Sequence, residues 1–131
     1  MTTILIDHNI EGQSTMILGA FNKEGWSELF PLRLITLKDV GLSSESSDRD
    51  IWRFAQNNGM LLLTDNRNMK GNDSLEQTLR EENTPTSLPV LTIGNVDRVI
   101  ERQYREKCAA RLAEIIYDLE KYRGANRLFI P

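Results

Sequence analysis

Asp7, Asp48 and Asp65, with Asn66 and Asn68 just after the last, are the residues of this chain whose types and settings can do chemistry. Asp7 follows the apolar run Thr3-Ile4-Leu5-Ile6, and Asp65-Asn66 follows Met60-Leu61-Leu62-Leu63-Thr64. Runs of that length, apolar throughout, read as inner strands of a parallel sheet buried on both faces. Ligands of such sheets bind just beyond the carboxyl ends of the strands. Asp48 and Asp73 each open a segment of helical periodicity. Carboxylates gathered at one edge repel, by about 4 kcal/mol for two charges about 4 Å apart at an effective dielectric near 20. A proton or a divalent cation among them relieves that repulsion. Oxygen donors without His or Cys suit Mg²⁺ or Mn²⁺, not zinc. Such ions polarise a phosphoryl oxygen and activate water for in-line displacement. The chemistry to look for is therefore metal-dependent phosphodiester hydrolysis. Arg67 lies in the same polar burst and is a candidate contact for a substrate phosphate.

Each of these residues also has an ordinary role. Asp7 can be a turn residue at a strand end, Asp48 a charge matched to a helix dipole, and Asp65-Asn66 simple turn formers. Asp73 reads first as a helix cap. His8, the single histidine, adjoins Asp7, and adjacent strand residues point to opposite faces, so it reads as a packed or hydrogen-bonded neighbour. Cys108 reads as core, and Tyr104 and Tyr122 as core or interface residues, not platforms for stacked bases.

The elements that must position these side chains alternate. A strand at 3–7 leads to a helix at 10–24, capped by Asn9 and stopped by Gly25. A strand at 34–37 leads through a loop to a helix at 48–58, with Ser47 as its N-cap and Asn58-Gly59 as its stop. The strand ending at Thr64 leads to a helix at 74–82, capped by Asp73 or Ser74. A strand at 89–93 leads to a long helical region from Asn95 to Arg123, bent or broken near Glu101. The tail Arg127-Leu128-Phe129-Ile130-Pro131 is apolar for a chain end and is expected to dock on the domain or on a second subunit. Alternation of this kind predicts one α/β domain over 1–131, a three-layer α/β/α doubly wound fold. Its sheet is mostly parallel with about four strands in the order 2-1-3-4. That order puts the switch point between strands 1 and 3, with Asp7 and Asp65-Asn66 flanking one crevice.

Bulk properties narrow the function. The 131 residues suffice for one core. No stretch approaches the roughly 18 apolar residues of a membrane span. The absence of a basic-then-apolar leader and the single cysteine predict a cytoplasmic protein. The net charge of −3 argues against a general nucleic-acid coat. Charge is uneven, however: residues 98–131 carry eight Lys/Arg against five acids, leaving −6 on the remainder. This reads as a solvated helix face or as a phosphate-facing rim beside an acidic site.

Four segments also carry a family likeness. Ile4-Leu5-Ile6-Asp7-His8-Asn9 looks like the opening "LLDEN" strand, and Leu37-Lys38-Asp39-Val40-Gly41-Leu42 like the "VRDLGL" loop, of PIN-like proteins. Ser47-Asp48-Arg49-Asp50-Ile51 looks like their "SDEEI" helix start, and Leu62-Leu63-Thr64-Asp65-Asn66-Arg67-Asn68-Met69 like their "LVTRDKDF" strand end. The chain thus resembles the PIN-like nuclease superfamily over residues 4–95. It is most similar to small bacterial PIN-like proteins of unassigned function, relatives of the toxin ribonucleases of toxin–antitoxin pairs. The resemblance implies a Mg²⁺- or Mn²⁺-dependent endoribonuclease acting on single-stranded RNA, and an antitoxin or other protein as partner. It puts Asp7 and Asp48 on family acidic positions. The two strand-3 aspartates of the family fall on Asn66 and Asn68, and Asp65 lies one residue early, where strand parity turns it to the other face. Asp7, Asp48 and Asn66, with Asp65 if the backbone turns at Thr64, form the expected metal site. Amides ligate Mg²⁺ through oxygen but bring no charge, so metal affinity is expected to be weakened.

A non-catalytic PIN-like module that binds protein or RNA is the second reading, favoured by Asn66 and Asn68. A phospho-acceptor receiver domain shares the topology, but it needs a second acid beside Asp7 and a lysine after strand 4, where this chain has His8-Asn9 and Gly94-Asn95. The amphipathic last helix and apolar tail predict a homodimer.

Overall fold

The apolar runs become the strands of one parallel sheet because each satisfies its backbone with a neighbour and buries side chains on both faces. In the computed structural model, which describes residues 1–66 and 71–131, the strands are β1 (Thr2–Ile6), β2 (Leu32–Thr36), β3 (Leu61–Thr64), β4 (Val90–Thr92) and β5 (Arg127–Phe129). Their order is β2-β1-β3-β4-β5, every pair parallel. The helices are α1 (Glu11–Lys23), α2 (Trp26–Leu29), α3 (Asp48–Asn57), α4 (Leu75–Glu82), α5 (Arg102–Tyr117) and α6 (Leu119–Tyr122). This is a doubly wound α/β fold compatible with three layers, and the predicted order of the first four strands is the observed one.

Alternation along the strands divides the core in two. Ile4, Ile6, Leu61, Leu63, Leu91 and Ile93 pack with Ile17 and Phe21 of α1 and Cys108, Leu112 and Ile115 of α5. Leu5, Ile35, Leu62 and Val90 point the other way, onto Ile51, Trp52 and Ala55 of α3 and Leu75 and Leu79 of α4. Each fully buried Leu or Ile contributes roughly 1.5–3 kcal/mol. A one-residue slip of β3 would reverse the facing of Leu61, Leu62 and Leu63 together, so this parity is strongly fixed. It also decides which polar residues beyond the strand ends face α3 and α4.

Where about four strands are expected, the described residues form five. The tail adds β5 beside β4, with Val90↔Arg127, Leu91↔Leu128 and Thr92↔Phe129 in register. The Ile130 N–H donates to the Thr92 carbonyl at 2.8 Å, and its side chain is buried. The apolar tail, one ground for expecting a dimer, thus docks within the chain through its backbone and Ile130, while Phe129 stays exposed. Gly94 permits this docking, since a Cβ there would lie 2.6 Å from the Pro131 carbonyl oxygen.

Element boundaries moved for local reasons. The first helix begins at Glu11, after a 3₁₀ turn over His8–Ile10. Asp7, not Asn9, caps that turn, accepting the Asn9 N–H at 3.5 Å. β2 spans Leu32–Thr36 because Thr2 pairs with Leu32, and Leu37 already has helical backbone at the start of a 3₁₀ turn over Lys38–Val40. Ser47 caps α3 and Ser74 caps α4, accepting the Asp50 and Gln77 N–H groups at 3.1 and 3.2 Å. The last helical region breaks at Glu101, whose backbone is extended (φ −77°, ψ 125°), and again at Asp118. Asn95 provides no side-chain cap; its N–H donates instead to the hydroxyl of buried Tyr104 at 2.8 Å.

Candidate functional site

Strand parity brings the first acid to its place. The Asp7 N–H donates to the Leu63 carbonyl at 3.0 Å, which carries the β1–β3 ladder one residue past β1. Asp7 thus shares the facing of Leu5, toward α3 and α4. Leu62, Thr64 and Asn66 follow one another on that same side of β3 and its exit. Asp48 arrives from the opposite direction, as the first residue of α3. Asp7, Asp48, Thr64 and Asn66, with Ile51, Leu62 and Leu75, line one pocket of about 10 Å³ at the carboxyl edge of the sheet. That is about the room needed for one water or one cation.

Hydrogen bonds join the polar members into a chain. The Thr64 hydroxyl donates to Asp7 Oδ2 at 2.8 Å and accepts the Asn66 N–H at 2.9 Å. Asn66 Nδ2 donates to Asp48 Oδ2 at 2.8 Å, and the Leu75 N–H donates to the same oxygen at 3.1 Å. Leu75 is the first residue of α4, so its N–H has no partner inside the helix. Asp48 therefore sits at the positive ends of two helices, where negative charge is favoured.

Asp65, His8 and Asp73 lie outside the pocket lining. Asp65 is half-buried and is not among the residues lining the pocket; the sequence expectation that a turn at Thr64 brings it in does not match this lining. Arg67 and Asn68 fall outside the described residues. His8 is exposed rather than packed, its Nδ1 3.3 Å from a Glu11 carboxylate oxygen. Asp73 is exposed and pairs with Arg49 at 3.0 Å, leaving the cap of α4 to Ser74.

Arg49, one residue after Asp48, also pairs with Glu81 and Glu82 and donates to the Asn72 carbonyl. Those contacts lock α3 to α4 behind the pocket. Hydrogen bonds that Arg49 donates to Glu82, then to Glu81, raise its pKa above the ordinary value. In return Glu81 is held below the usual carboxylate range by Arg49, and Glu82 by Arg53 and then Arg49.

None of the basic residues of the C-terminal third is among those lining the pocket. Arg98, Arg102, Arg111 and Arg123 pair with Glu101, Glu106, Glu114 and Glu120 on their own helical segments. Arg105 donates instead to the Val99 and Ile100 carbonyls, whereas Arg127 reaches a residue of the pocket. Its Nη1 donates to the Asn66 carbonyl at 2.7 Å and to Thr92 Oγ1 at 2.6 Å, and its Nη2 pairs with Glu76 of α4. Thr64 and Arg127 both escaped the sequence reading. Thr64 was detectable in principle, because alternation from Leu62 to Asn66 passes through it. Arg127 carried no local signal, since it meets Asn66 only through the fifth strand.

The donor set fits one hard cation. It offers two carboxylates, a hydroxyl and an amide, all oxygen if the Asn66 amide rotates by 180° to exchange its nitrogen for its oxygen. Mg²⁺ is commonly held by one or two carboxylates together with waters and substrate phosphates. Among the described residues, no group of three or more His, Cys, Asp or Glu is placed to hold a metal. Compared with known proteins, the chain matches no family model, no curated protein and no solved structure.

Proposed function

We propose that the protein is a metal-dependent endoribonuclease of PIN-like type, weakened relative to a fully acidic site, that hydrolyses phosphodiester bonds in single-stranded RNA. The observation that carries this reading is the convergence of Asp7, Asp48 and Asn66 on one ion-sized pocket at the carboxyl edge of a parallel sheet. These residues are far apart in the chain and come from three different elements. Mg²⁺ or Mn²⁺ bound there would polarise a phosphoryl oxygen and lower the pKa of a water for attack. The chain's own part is positional. Asp7 and Asp48 would hold the cation, with Thr64 orienting Asp7 and the Leu75 N–H orienting Asp48. Asn66 would complete the donor set through its amide oxygen once the amide turns from the orientation in which Nδ2 donates to Asp48.

The test is Mn²⁺-dependent cleavage of a single-stranded RNA by purified wild type and by Asp7→Asn. Metal-assisted catalysis contributes several kcal/mol to transition-state stabilisation. Losing a ligand should therefore lower the rate by about 100-fold or more. Cleavage that persists unchanged in Asp7→Asn rules this mechanism out.

One specific observation favours a second reading, a non-catalytic PIN-like module that binds a protein partner of antitoxin type or an RNA. Asp48 Oδ2 already accepts two hydrogen bonds, from Asn66 Nδ2 and Leu75 N–H, so that oxygen is satisfied without a cation. Calorimetry separates the two readings. Micromolar Mn²⁺ binding that disappears in Asp7→Asn counts against the non-catalytic module, and no Mn²⁺ binding counts against the nuclease.

A further inference from the structure

We propose that Arg127 is a positioning residue of the acidic pocket, and that the C-terminal strand is thereby part of the site. The inference rests on the metal-binding reading above. Asn66 lies beyond the end of β3, where the last ladder contact pairs Thr64 with Thr92. Two side chains hold its backbone instead. Thr64 Oγ1 accepts its N–H, and Arg127 Nη1 donates to its carbonyl. Held from both sides, the residue directs its amide toward Asp48.

The geometry of Arg127 suits this task. Its side chain is only 11% exposed, so its charge requires a partner, and Glu76 supplies one through Nη2. Charge pairing alone would leave the other guanidinium nitrogen undirected. Here Nη1 reaches across β4 to Thr92 Oγ1 and on to Asn66, using two prongs of a rigid planar fork. Glu76 lies on α4, next to Leu75, whose N–H binds Asp48. One guanidinium therefore ties the exit of β3 to the start of α4, the two elements that fix Asn66 and Asp48. Lysine cannot reproduce this arrangement, because a single ammonium lacks the fork.

The experiment compares Mn²⁺ binding by calorimetry in wild type, Arg127→Met and Arg127→Lys, with folding checked by circular dichroism. Partners that orient a metal ligand are worth about 10- to 100-fold in affinity, and that loss is expected for Arg127→Met, with Arg127→Lys failing to restore wild-type binding. A merely structural role predicts lower melting temperatures but wild-type Mn²⁺ affinity in the folded variants, and that outcome overturns the proposal. Should Arg127→Met not fold, a Mg²⁺ titration of wild type followed by NMR decides the matter. The Arg127 Nε–H and Asn66 amide resonances are then expected to move with one apparent Kd, and a stationary Arg127 overturns the proposal. Wild type that binds neither ion removes the metal reading and this inference together. Wild type that binds Mn²⁺ beside an Arg127→Met that binds equally well removes this inference alone.

Discussion

Replacing Thr64 by Val tests whether the pocket is held together as the hydrogen bonds describe. Thr64 is 2% exposed, and its hydroxyl bridges Asp7 Oδ2 at 2.8 Å and the Asn66 N–H at 2.9 Å. Valine keeps the branching and nearly the shape, and it suits a strand at least as well. What is lost is therefore the hydroxyl. A hydrogen bond to a charged group contributes about 1.5–3 kcal/mol and a neutral one about 1 kcal/mol. Asp7 and Asn66 are both half-buried and regain part of this from water. The net cost should be about 2 kcal/mol, or about 6–10 °C in Tm for a chain of this size. Urea unfolding in EDTA of wild type, Thr64→Val, Asp7→Ala and the double variant gives a thermodynamic cycle free of metal. A coupling of about 1–2 kcal/mol is expected, because the two side chains share a bond. If Thr64→Val costs under about 0.5 kcal/mol and the two changes add within about 0.3 kcal/mol, the hydroxyl does not hold Asp7 and the account of the pocket fails.

Two further outcomes follow from charge and burial. Glu81 and Glu82 are held below their ordinary value of 4.5 by Arg49 and Arg53, so they stabilise the fold fully above that pH, and their contribution is lost as pH falls through the depressed folded values. Acid titration of stability should therefore be steep below about pH 4.5 in wild type and flatter in Arg49→Met; equal slopes would show that the Arg49 network does not govern it. Burial pushes the Cys108 thiol up to about 12, and its sulfur lies 3.2 Å from the Ile130 carbonyl oxygen. A thiol-specific reagent at about pH 8 should label it only as fast as the protein opens, and rapid labelling of the native state would contradict the docking of the tail over it.

Much of the fold was legible because its signals are local. The runs ending at Ile6 and Thr64 declared inner strands, Ser47 marked the start of α3, and the break at Glu101 followed from the length of the last helical region. The tail was legible only in part. Its apolar character required docking, but three residues of Arg-Leu-Phe do not specify a strand, and pairing with β4 supplied the backbone partners that made them one. Asn9 failed as a cap because it lies inside the 3₁₀ turn over His8–Ile10, whose own cap is Asp7, and α1 starts only at Glu11.

At the site the division is sharper. By itself, the order of residues determined the alternation within each strand, but not which of Asp65 and Asn66, past the end of β3, turns to the pocket; the structure places Asn66 in its lining. The order of residues also determined that acids stand at the ends of β1 and β3 and at the start of α3. Only the tertiary structure decided that Asp7 and Asp48 share a pocket, that the start of α4 lends its Leu75 N–H to Asp48, and that Arg127 clasps Asn66 across 61 positions of chain. The physical reason lies in range. Side-chain facing follows from the pleat of a few neighbouring residues, whereas a meeting between distant groups depends on which strands pair and which helix ends their crossovers bring to the same edge.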